Sequence, residues 1–573
     1  MSAIMSASKI GIKGSDVYET TGDARVDLSV MLVRGLTAEK IQAGVEAVLA
    51  MPSKEALEDL CVLLFQTRNI RGGKGERALA YDMLAALDKK QHALSLALLP
   101  LFSHYGCWKD LFVLGQNVAF KETVLDLTVK QFAADNAAIK AEGGKVSLLA
   151  KWAPREKSFN GLLAKWLANR FFPNLAILSE RMKAYRKMVS ALNKHIDTVE
   201  VKMCDRHFAD IEPSHVPGRA LQKYRKAFLN EASTFKNGHH DKFARGERST
   251  EYDRIEGAKH FSEHFAAGAK GNIILKGADT VYPHEVVQAV YQSHDDSEAE
   301  RNLRLGQWLA LVKKAQEGGA LKNCLAMCDF SGSMDGLPKM VSLALGMLIA
   351  EVSGSNKILT FDSEPQWHTF NPAHNLYEKI AFIGNIGHGL STDFQKAMDL
   401  VLQDIKERRC RPEDVVKDLI VFTDMGWDQA CSSSEQSPWT GNSYRHNVKT
   451  EQWSLPPSEA SLPRWQTHIQ MIRENFKRAG EDMWGVPFVP PRIVIWNLRA
   501  AYDDFHARAD EEGVVMLSGW SPALFKVLQE KGVEVLTPYA ALRLQLDDPI
   551  YQPVRDLVRT HMDANKGIFS HLS

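Results

Sequence analysis

The hydrophobic pattern of this chain changes its period near residue 320, and that change limits the folds open to it. Between about residues 36 and 310, apolar residues recur at three- and four-residue spacing in stretches such as SKEALEDLCVLLFQTR, which is typical of helices. After residue 320, short runs rich in Val, Ile, Leu and Phe, such as DLIVFTDMG, alternate with helical stretches such as MVSLALGMLIAEV. Strands buried on both faces and separated by helices predict a mostly parallel, doubly wound sheet.

The chain is therefore predicted to be multidomain, since 573 residues exceed what one hydrophobic core usually holds. We expect a tail or lead-in at residues 1–25, an all-α domain of helical repeats at 26–318 and a doubly wound α/β domain at 319–573. The stretch SSSEQSPWTGNS interrupts the α/β pattern, so residues 429–460 are predicted to be a surface insertion. The helical part shows no clear fixed period, so its repeats are inferred from the succession of helices alone.

Composition narrows the classes of protein further. Lysine plus arginine and aspartate plus glutamate each number 70, so the net charge is zero and any basic surface has to be local. The seven cysteines are odd in number and scattered, which argues against a disulfide framework or a zinc module. Because we find no apolar stretch of roughly 18 residues and no signal-like run at the N-terminus, we expect a cytoplasmic protein that does not bind membranes.

Oxygen-bearing side chains follow three of the predicted strands. Asp329, Ser331 and Ser333 in CDFSGSMDG come directly after the first strand, while Thr392 in GHGLSTDF and Asp424 in LIVFTDMG follow later ones. In open α/β sheets, ligands bind at the carboxyl ends of the strands. Hydroxyl and carboxylate oxygens are the ligands that Mg²⁺ prefers. The sequence therefore predicts a site for Mg²⁺ or another divalent cation; the alternative is that Asp329 and the serines cap a helix.

This arrangement resembles the metal-ion-dependent adhesion site (MIDAS) of the von Willebrand A family, which has the form D-x-S-x-S with a Thr and an Asp on later loops. The resemblance implies a von Willebrand A-type domain whose ion leaves a coordination position for an acidic group of a partner. It therefore implies adhesion or assembly more than hydrolysis. Since the sequence shows no activated nucleophile with its base, we expect that the protein is not an enzyme.

A glycine-rich basic stretch, QTRNIRGGKGER, interrupts the helical part. Arg68, Arg71, Lys74 and Arg77 lie close to the start of the following helix, where backbone N–H groups and arginine side chains favour phosphate. The stretch does not match a P-loop, because the G-x-x-x-x-G-K-[ST] spacing is absent and no strand precedes it. The alternative interpretation is a tight turn between helices with a solvated basic rim.

A second basic stretch runs from Lys140 to Lys194, with twelve basic and three acidic residues and hence a net charge of +9. Its aromatic residues are those expected where bases stack beside phosphate contacts, although aromatics at helical spacing are more often core. Besides the four cations of the first stretch, the predicted RNA-binding residues are Lys151, Arg155, Lys157, Arg181, Lys183, Arg186 and Lys187. The interleaved aromatics are Trp152, Trp166, Phe171, Phe172 and Tyr185.

The combined motifs resemble the Ro ribonucleoprotein (TROVE) family and, more closely, an uncharacterised group related to it. They are RNIRGGKGER, YGCWKDL, LAKWAPRE, CDFSGSM, LIVFTDM, PRIVIWNLR and VVMLSGWSPAL, in consistent order along most of the chain. The resemblance implies a ring or arc of HEAT-like helical repeats joined to a C-terminal A domain. It implies an RNA-binding scaffold for small structured RNA or single-stranded ends, without carrying over the particular RNA that Ro binds.

Two other functions stay open. The chain could be an adaptor without nucleic acid, whose A domain docks on an AAA-type ATPase or another acidic partner through the cation. It could also be a metal-dependent hydrolase or nuclease, which would need a second metal or a general base near Asp329 that the sequence does not show. Salt-dependent RNA binding would separate the scaffold from the adaptor.

Overall fold

The computed structural model divides the chain into two compact units. The α/β unit comprises Met1–Leu36, Gly318–Trp520 and Phe525–Arg543, and the helical unit comprises Thr37–Glu317, Ser521–Leu524 and Leu544–Ser573. The residues described are 8–10, 16–141, 144–232, 235–236, 239–240, 246–277, 280–293, 296–317, 319, 321–361, 364–383, 394–427, 464–528 and 536–572.

These units differ from the predicted boundaries at both ends of the chain. The sequence predicts a tail at residues 1–25, whereas residues up to Leu36 belong to the α/β unit. It also assigns all of 319–573 to the α/β domain, whereas Leu544–Ser573 belongs to the helical unit. The predicted insertion at 429–460 lies outside the described residues. The coarser prediction, a helical part followed by an α/β part, is confirmed.

The chain begins with two short strands and a helix of the α/β unit: β1 (Ser8–Ile10), β2 (Asp16–Tyr18) and α1 (Ala24–Met31). The helical unit follows with α2 (Ala38–Leu49), α3 (Lys54–Arg68), α4 (Ala78–Asp88), α5 (His92–Leu98), α6 (Leu101–Tyr105), α7 (Trp108–Leu114), α8 (Val118–Ala138), α9 (Leu149–Trp152), α10 (Gly161–Phe171), α11 (Leu178–Ile196), α12 (Val199–Cys204), α13 (Gly218–Phe228), β3 (Phe235–Lys236), β4 (His239–His240), α14 (Tyr252–Ala269), α15 (Pro283–Tyr291) and α16 (Glu298–Glu317).

The α/β unit then continues with β5 (Cys324–Asp329), α17 (Leu337–Ser353), β6 (Lys357–Phe361), β7 (Trp367–Thr369), α18 (Leu376–Ile383), α19 (Phe394–Glu407), β8 (Asp418–Thr423), α20 (Arg464–Trp484), β9 (Arg492–Asn497) and β10 (Val514–Ser518). Helix α21 (Pro538–Leu546) begins in this unit, and its residues from Leu544 onward belong to the helical unit. The last helix is α22 (Gln552–Ala564). Short 3-10 helices lie at Pro213–His215, Gly332–Met334, Pro412–Asp414, Pro522–Leu528 and Pro549–Tyr551. Among the helices in the described ranges, none is both long and apolar enough to cross a membrane.

Several helices of the helical unit start at side-chain caps that the sequence displays. Thr37, Ser53 and Asn117 accept hydrogen bonds from first-turn backbone N–H groups of α2, α3 and α8. α3 is buried along nearly its whole length, so other parts of the unit surround it. A separate cluster of buried residues includes Phe228 of α13 and Phe261 of α14, whose rings stack 4.3 Å apart.

The C-terminal helix α22 is held to α3 by buried charges. Arg555 lies 3.3 Å from the Glu58 carboxylate and 2.9 Å from that of Asp59, and Arg559 lies 2.8 Å from Glu58. Removing one partner of such a buried pair typically costs about 3–5 kcal/mol, because the other charge is left uncompensated. This cluster explains why the last helix belongs to the helical unit rather than to the sheet that precedes it in the chain.

The six-stranded sheet of the α/β unit has the order β10-β9-β8-β5-β6-β7, and all strands are parallel except β7. β5 and β8 are buried at every residue, as their uninterrupted apolar runs predict. The chain moves outward from β5 to β6 and β7, then returns to place β8 on the other side of β5. Connections on either side of such a switch point diverge and leave a crevice at the carboxyl ends of β5 and β8.

The segment before the helical unit forms part of the α/β core. Tyr18 pairs with Phe505 through two backbone hydrogen bonds of 2.9 and 3.2 Å. The Ser518 hydroxyl, at the end of β10, donates to the carbonyl of Ser29 at 2.6 Å and lies 3.2 Å from that of Leu32. α1 therefore packs on the sheet through β10, whereas the sequence predicts a tail at 1–25 and a helical domain from residue 26 onward.

The Ser518 contact gives a stability prediction with an internal control. Replacing Ser518 removes the buried hydrogen bond that its hydroxyl donates, so Ser518→Ala is expected to lower the free energy of unfolding by about 1–3 kcal/mol. Ser342, also buried, has a hydroxyl with no hydrogen-bond partner among the described residues. Ser342→Ala is therefore expected to be neutral or stabilising. Urea unfolding followed by tryptophan fluorescence measures both; equal losses would contradict the assignment of the Ser518 bonds.

Candidate cation site and basic surface

Buried polar side chains meet at the carboxyl ends of β5 and β8. Asp329, the last residue of β5, is fully buried. Its Oδ1 accepts a hydrogen bond from the Ser331 backbone N–H at 2.9 Å, and its Oδ2 accepts one from the Thr423 hydroxyl at 3.0 Å. The hydroxyl oxygens of Ser331 and Ser333 lie 3.1 Å apart. The structure thus brings together three of the predicted ligands and ties them to β8 through Thr423.

Asp424 follows β8 directly and is fully buried. Its Oδ1 accepts a hydrogen bond from the backbone N–H of Gly426 at 3.1 Å, whereas its Oδ2 is buried without a hydrogen-bond partner among the described residues. A buried carboxylate oxygen with no donor is costly, and a bound cation would compensate it. Thr392, the fifth predicted ligand, lies outside the described residues.

The loop that carries Asp424 is fixed by an aromatic pair. Met425 has a φ of 71°, in the left-handed region, and its carbonyl lies 2.7 Å from Nε2 of His506. Because a carbonyl can only accept, Nε2 carries the proton. The His506 ring stacks on Trp427 at 3.8 Å, and Trp427 Nε1 donates to the Thr423 hydroxyl at 3.1 Å. Burial lowers the pKa of His506 to about 4, so this ring is neutral near pH 7.

These supporting residues were not predicted from the sequence. The D-x-S-x-S pattern indicates ligands, but it does not indicate the groups that hold them. Thr423 is hidden inside an apolar strand run, and Trp427 and His506 come from two separate segments that meet only in the fold. A Thr directly before the predicted ligand Asp424 is the one local signal that could have been used.

The donor set fits a hard divalent cation. Mg²⁺ takes carboxylate and hydroxyl oxygens as ligands, and these are the oxygens that Asp329, Asp424, Ser331 and Ser333 offer. Among the described residues, Oδ2 of Asp424 has no hydrogen-bond donor and is available to coordinate a cation. The Ser333 carbonyl accepts a hydrogen bond from the Arg499 guanidinium, which fixes the backbone of this loop. In the described ranges, no group of three or more His, Cys, Asp or Glu side chains could hold a metal ion, so the fit depends on two aspartates together with hydroxyls.

In the RNIRGGKGER stretch, the cations have different surroundings. Arg68 is buried, and its guanidinium lies 2.6 Å from the fully buried carboxylate of Asp110. The same carboxylate accepts a hydrogen bond from the Tyr81 hydroxyl at 2.6 Å and lies 3.6 Å from Arg77, whose side chain is 45% exposed. Arg71 is exposed. Arg68 therefore neutralises an internal carboxylate, whereas Arg71 and Arg77 reach solvent.

Lys74 is enclosed by the turn itself. Its backbone N–H donates to the Gln66 carbonyl at 3.0 Å, and its carbonyl accepts from the Tyr282 hydroxyl at 3.1 Å. Burial lowers the pKa of the Lys74 amine to about 7. The glycines permit this closeness, because a Cβ on Gly73 would lie 1.9 Å from the Gln66 carbonyl oxygen and one on Gly75, at φ +72°, 2.2 Å from the Tyr282 hydroxyl. The turn is tight, as the alternative interpretation of this stretch expects.

In the second basic stretch, most of the predicted RNA-binding residues are exposed: Arg155, Lys157, Lys183, Arg186 and Lys187. Two others are engaged internally. Lys151 lies 3.4 Å from the Glu200 carboxylate, and Arg181 donates to the Leu175 carbonyl at 2.5 Å and to Asn169 at 3.0 Å. The exposed cations are therefore concentrated on α11 and on the turn before α10.

α11 separates its apolar and basic residues onto two faces. Met182, Tyr185, Val189 and Leu192 are buried, and the Tyr185 hydroxyl donates to the Pro154 carbonyl at 3.1 Å. Tyr185 is thus a core residue rather than a stacking surface. The other predicted aromatics, Trp152, Trp166, Phe171 and Phe172, are all partly buried.

The fold and sites define an α/β protein with an oxygen-lined candidate cation site and a helical unit that presents a basic helix. Residues 323–542 match a family described as a domain of unknown function, DUF7788, and residues 117–250 match another, DUF2828. The first match includes the candidate cation site, and the second includes α11. An uncharacterized protein of Acanthamoeba polyphaga mimivirus is 27% identical over 568 residues, which cover 94% of this chain and 87% of the relative. This similarity extends over both units.

The glycine turn gives a second stability prediction. Gly73→Ala forces a methyl group into the Gln66 carbonyl oxygen, so it is expected to lower the free energy of unfolding by about 1–3 kcal/mol or more. Gly72→Ala is the matched control, because a Cβ there meets only the Asn69 amide nitrogen at 3.8 Å, and its effect is expected within about 0.5 kcal/mol. Thermal unfolding compares the two variants. A tolerated Gly73→Ala would show that the turn is looser than described.

Proposed function

We propose that this protein is a non-enzymatic, RNA-binding scaffold of the ribonucleoprotein type, with a divalent-cation site in a von Willebrand A-type α/β unit. The single observation that carries the RNA proposal is the solvent-facing row of cations on α11. The buried Oδ2 of Asp424, which has no hydrogen-bond partner among the residues that the structure describes, carries the proposal of a cation. Each part has its own test, so that one can fail without the other.

The strand order supports the A-type assignment. The strand carrying Asp329 lies at the centre of the sheet, next to the strand that precedes Asp424, and the crevice at this switch point is where open α/β sheets take ligands. Asp329, Ser331, Ser333 and Asp424 would hold Mg²⁺, with Thr392 as the further ligand that the sequence motif suggests. When bound, such an ion supplies a coordination position for a carboxylate from a partner protein. The chain's own residues orient the ligands and keep the carboxylates out of bulk water.

Asp424→Asn tests the cation site while keeping the shape of the side chain. Mg²⁺ should stabilise the wild-type protein by mass action, by about 2.7 kcal/mol at one hundred times its Kd, and the variant should lose this gain. With EDTA, the variant should be at least as stable as wild type, because the substitution removes the charge of a buried carboxylate whose Oδ2 has no donor among the described residues.

Asp335→Asn is the control for this test, since Asp335 is an exposed carboxylate in the loop that follows Ser333. It should keep the full Mg²⁺ response in thermal unfolding. Asp329→Ala is less informative, because Asp329 also accepts a hydrogen bond from the Ser331 N–H in its own loop and one from the Thr423 hydroxyl that joins β5 to β8. A wild-type protein whose unfolding does not respond to Mg²⁺, Mn²⁺ or Ca²⁺ would remove the cation proposal.

The surface of α11 supports RNA binding on electrostatic grounds. Arg186 and Lys187 lie three and four residues after Lys183, and Lys194 lies seven residues after Lys187, so the four cations share one helix face. Arg186 pairs with Glu156 at 2.6 Å. No ion pair is found for Lys183, Lys187 or Lys194 among the described residues. Regularly spaced free cations on a rigid helix suit the phosphates of a nucleic acid.

Charge reversal on α11 tests this surface. The double change Lys183→Glu and Lys187→Glu is expected to weaken binding of a fluorescein-labelled single-stranded RNA by roughly tenfold or more at 0.1 M salt. It should also flatten the dependence of log K on log salt by about 1.4, corresponding to two lost phosphate contacts. Fluorescence anisotropy at several salt concentrations gives both values.

The control is the double change Lys276→Glu and Lys313→Glu. It alters the net charge equally on exposed residues of the helical unit that lie outside the segment from Lys140 to Lys194. If it weakens RNA binding as much as the α11 variant, the effect is one of total charge and the α11 site is wrong. If wild type shows no salt-dependent affinity for RNA, the RNA proposal itself fails.

A protein-interaction adaptor is the second candidate function, and the cation site is the observation that favours it, since that site requires no RNA. In this case the Asp424→Asn variant would lose Mg²⁺-dependent binding of a carboxylate-bearing partner, such as an AAA-type ATPase. The α11 variant would keep that binding, and RNA would not compete with it.

A further inference from the structure

A well-defined turn before α10 exposes an aromatic side chain to solvent. Phe159 is 86% exposed, while the backbone around it is fixed. The Ser158 hydroxyl donates to the Arg155 carbonyl at 2.7 Å, and the N–H of Gly161 donates to the Ser158 carbonyl at 2.9 Å. A Cβ on Gly161 would lie 2.4 Å from the Glu156 carbonyl oxygen, so the turn closes tightly on itself. The ring is therefore presented by a fixed turn.

This turn is held against the basic face of α11. The carboxylate of Glu156 accepts a hydrogen bond from the Arg186 guanidinium at 2.6 Å, which joins the turn to the centre of the row on α11. Glu156 and Arg186 neutralise each other. Arg155 and Lys157 in the turn, with Lys183 and Lys187 on either side of Arg186, are exposed and have no acidic partner within ion-pair distance in the part of the chain that the structure describes. Four uncompensated cations thus accompany the exposed ring.

Such a combination requires a ligand that carries several negative charges and also planar apolar groups. An RNA single strand has both, because its unpaired bases can stack on an aromatic side chain while its phosphates meet nearby cations. In a duplex the base faces are already stacked on one another. A stacked base would also cover the ring, which water otherwise surrounds. Charge complementarity and the isolated exposed ring therefore favour a single strand over a duplex.

We propose that Phe159 is a stacking platform for an unpaired RNA base, with Arg155, Lys157, Lys183 and Lys187 contacting the flanking phosphates. This inference rests on the proposed RNA binding and specifies its ligand as single-stranded RNA. Phe159 was not predicted from the sequence. The predicted aromatics were those interleaved with the basic residues of the helical pattern, whereas a phenylalanine in a turn is not part of any periodic pattern.

The test compares Phe159→Ala with wild type on an unstructured twelve-nucleotide RNA and on the same RNA annealed to its complement. We expect Phe159→Ala to weaken binding of the single strand by about 5- to 150-fold, the range for loss of one base stack. Duplex affinity should change little. The salt dependence should keep its slope, because no phosphate contact is removed.

A 2-aminopurine placed in the strand should be quenched by wild type and not by the variant, whereas Phe159→Trp should restore both affinity and quenching.

Two controls separate stacking from general apolar contact. Leu162→Ala removes an apolar side chain that is 57% exposed on the first turn of α10 but has no aromatic face, and Tyr252→Ala removes an aromatic ring that is 78% exposed on α14. Both should bind the single strand like wild type. Because all three side chains are exposed, each variant should retain the wild-type melting temperature, which thermal unfolding verifies.

The outcomes distinguish this inference from the proposed function. If charge reversal on α11 weakens RNA binding while Phe159→Ala does not, RNA binding stands and the stacking platform is overturned. Equal losses with Leu162→Ala, or equal losses on single strand and duplex, also overturn it. If wild type binds neither RNA, or if it binds vesicles of anionic phospholipid through Phe159 and no RNA, both proposals fail.

Discussion

The carboxylate of Asp329 is the constraint on which the α/β unit depends. It lies fully buried at the end of the central strand, where an ionised group is costly unless its oxygens are compensated. Hydrogen bonds from the Ser331 N–H and the Thr423 hydroxyl compensate this charge. The bond from Thr423 joins β5 to β8 at the switch point, where the chain changes the side on which it adds strands. The adjacent Asp424 has one oxygen, Oδ2, that finds no donor in the part of the chain that the structure describes. The Asp329 carboxylate is thus compensated by the protein itself, whereas the proposed cation would compensate Asp424.

In the helical unit, buried and exposed cations have opposite roles. Arg68 lies beside the buried Asp110 carboxylate, and Arg555 lies beside Glu58 and Asp59, so these guanidinium groups stabilise the unit by balancing internal charge. Among the described residues, the exposed cations Lys183, Arg186 and Lys187 of α11 have no acidic partner other than the Glu156 that pairs with Arg186. Buried cations that pair with a buried carboxylate stabilise the fold. Exposed cations that have no carboxylate partner are available to a ligand. A count of charged residues along the sequence does not make this distinction.

Sequence periodicity predicts the type of an element better than it predicts its partner. The strands β5, β8, β9 and β10 are evident because strands buried on both faces are apolar throughout. The placement of α1 and α22 is not evident from the sequence. The pattern of an amphipathic helix shows which of its faces is buried, but it does not show which element covers that face. In the site, the motif predicts Asp329 and Asp424 but not His506, whose role arises from a contact with the Met425 carbonyl. Likewise, burial of Lys74 follows from the three-dimensional closure of the turn.

The neutral total charge has a consequence for how RNA would bind. The segment from Lys140 to Lys194 carries +9, so the rest of this neutral chain carries −9. In the proposed RNA complex, a polyanion would be attracted to the α11 surface and not to the net-negative remainder, an effect that reaches about 8 Å at physiological salt. Affinity would then be confined to the few nucleotides that contact α11 and the Phe159 turn. A uniformly basic protein would track a long strand, whereas this distribution of charge favours a short single-stranded element, such as an end or a loop.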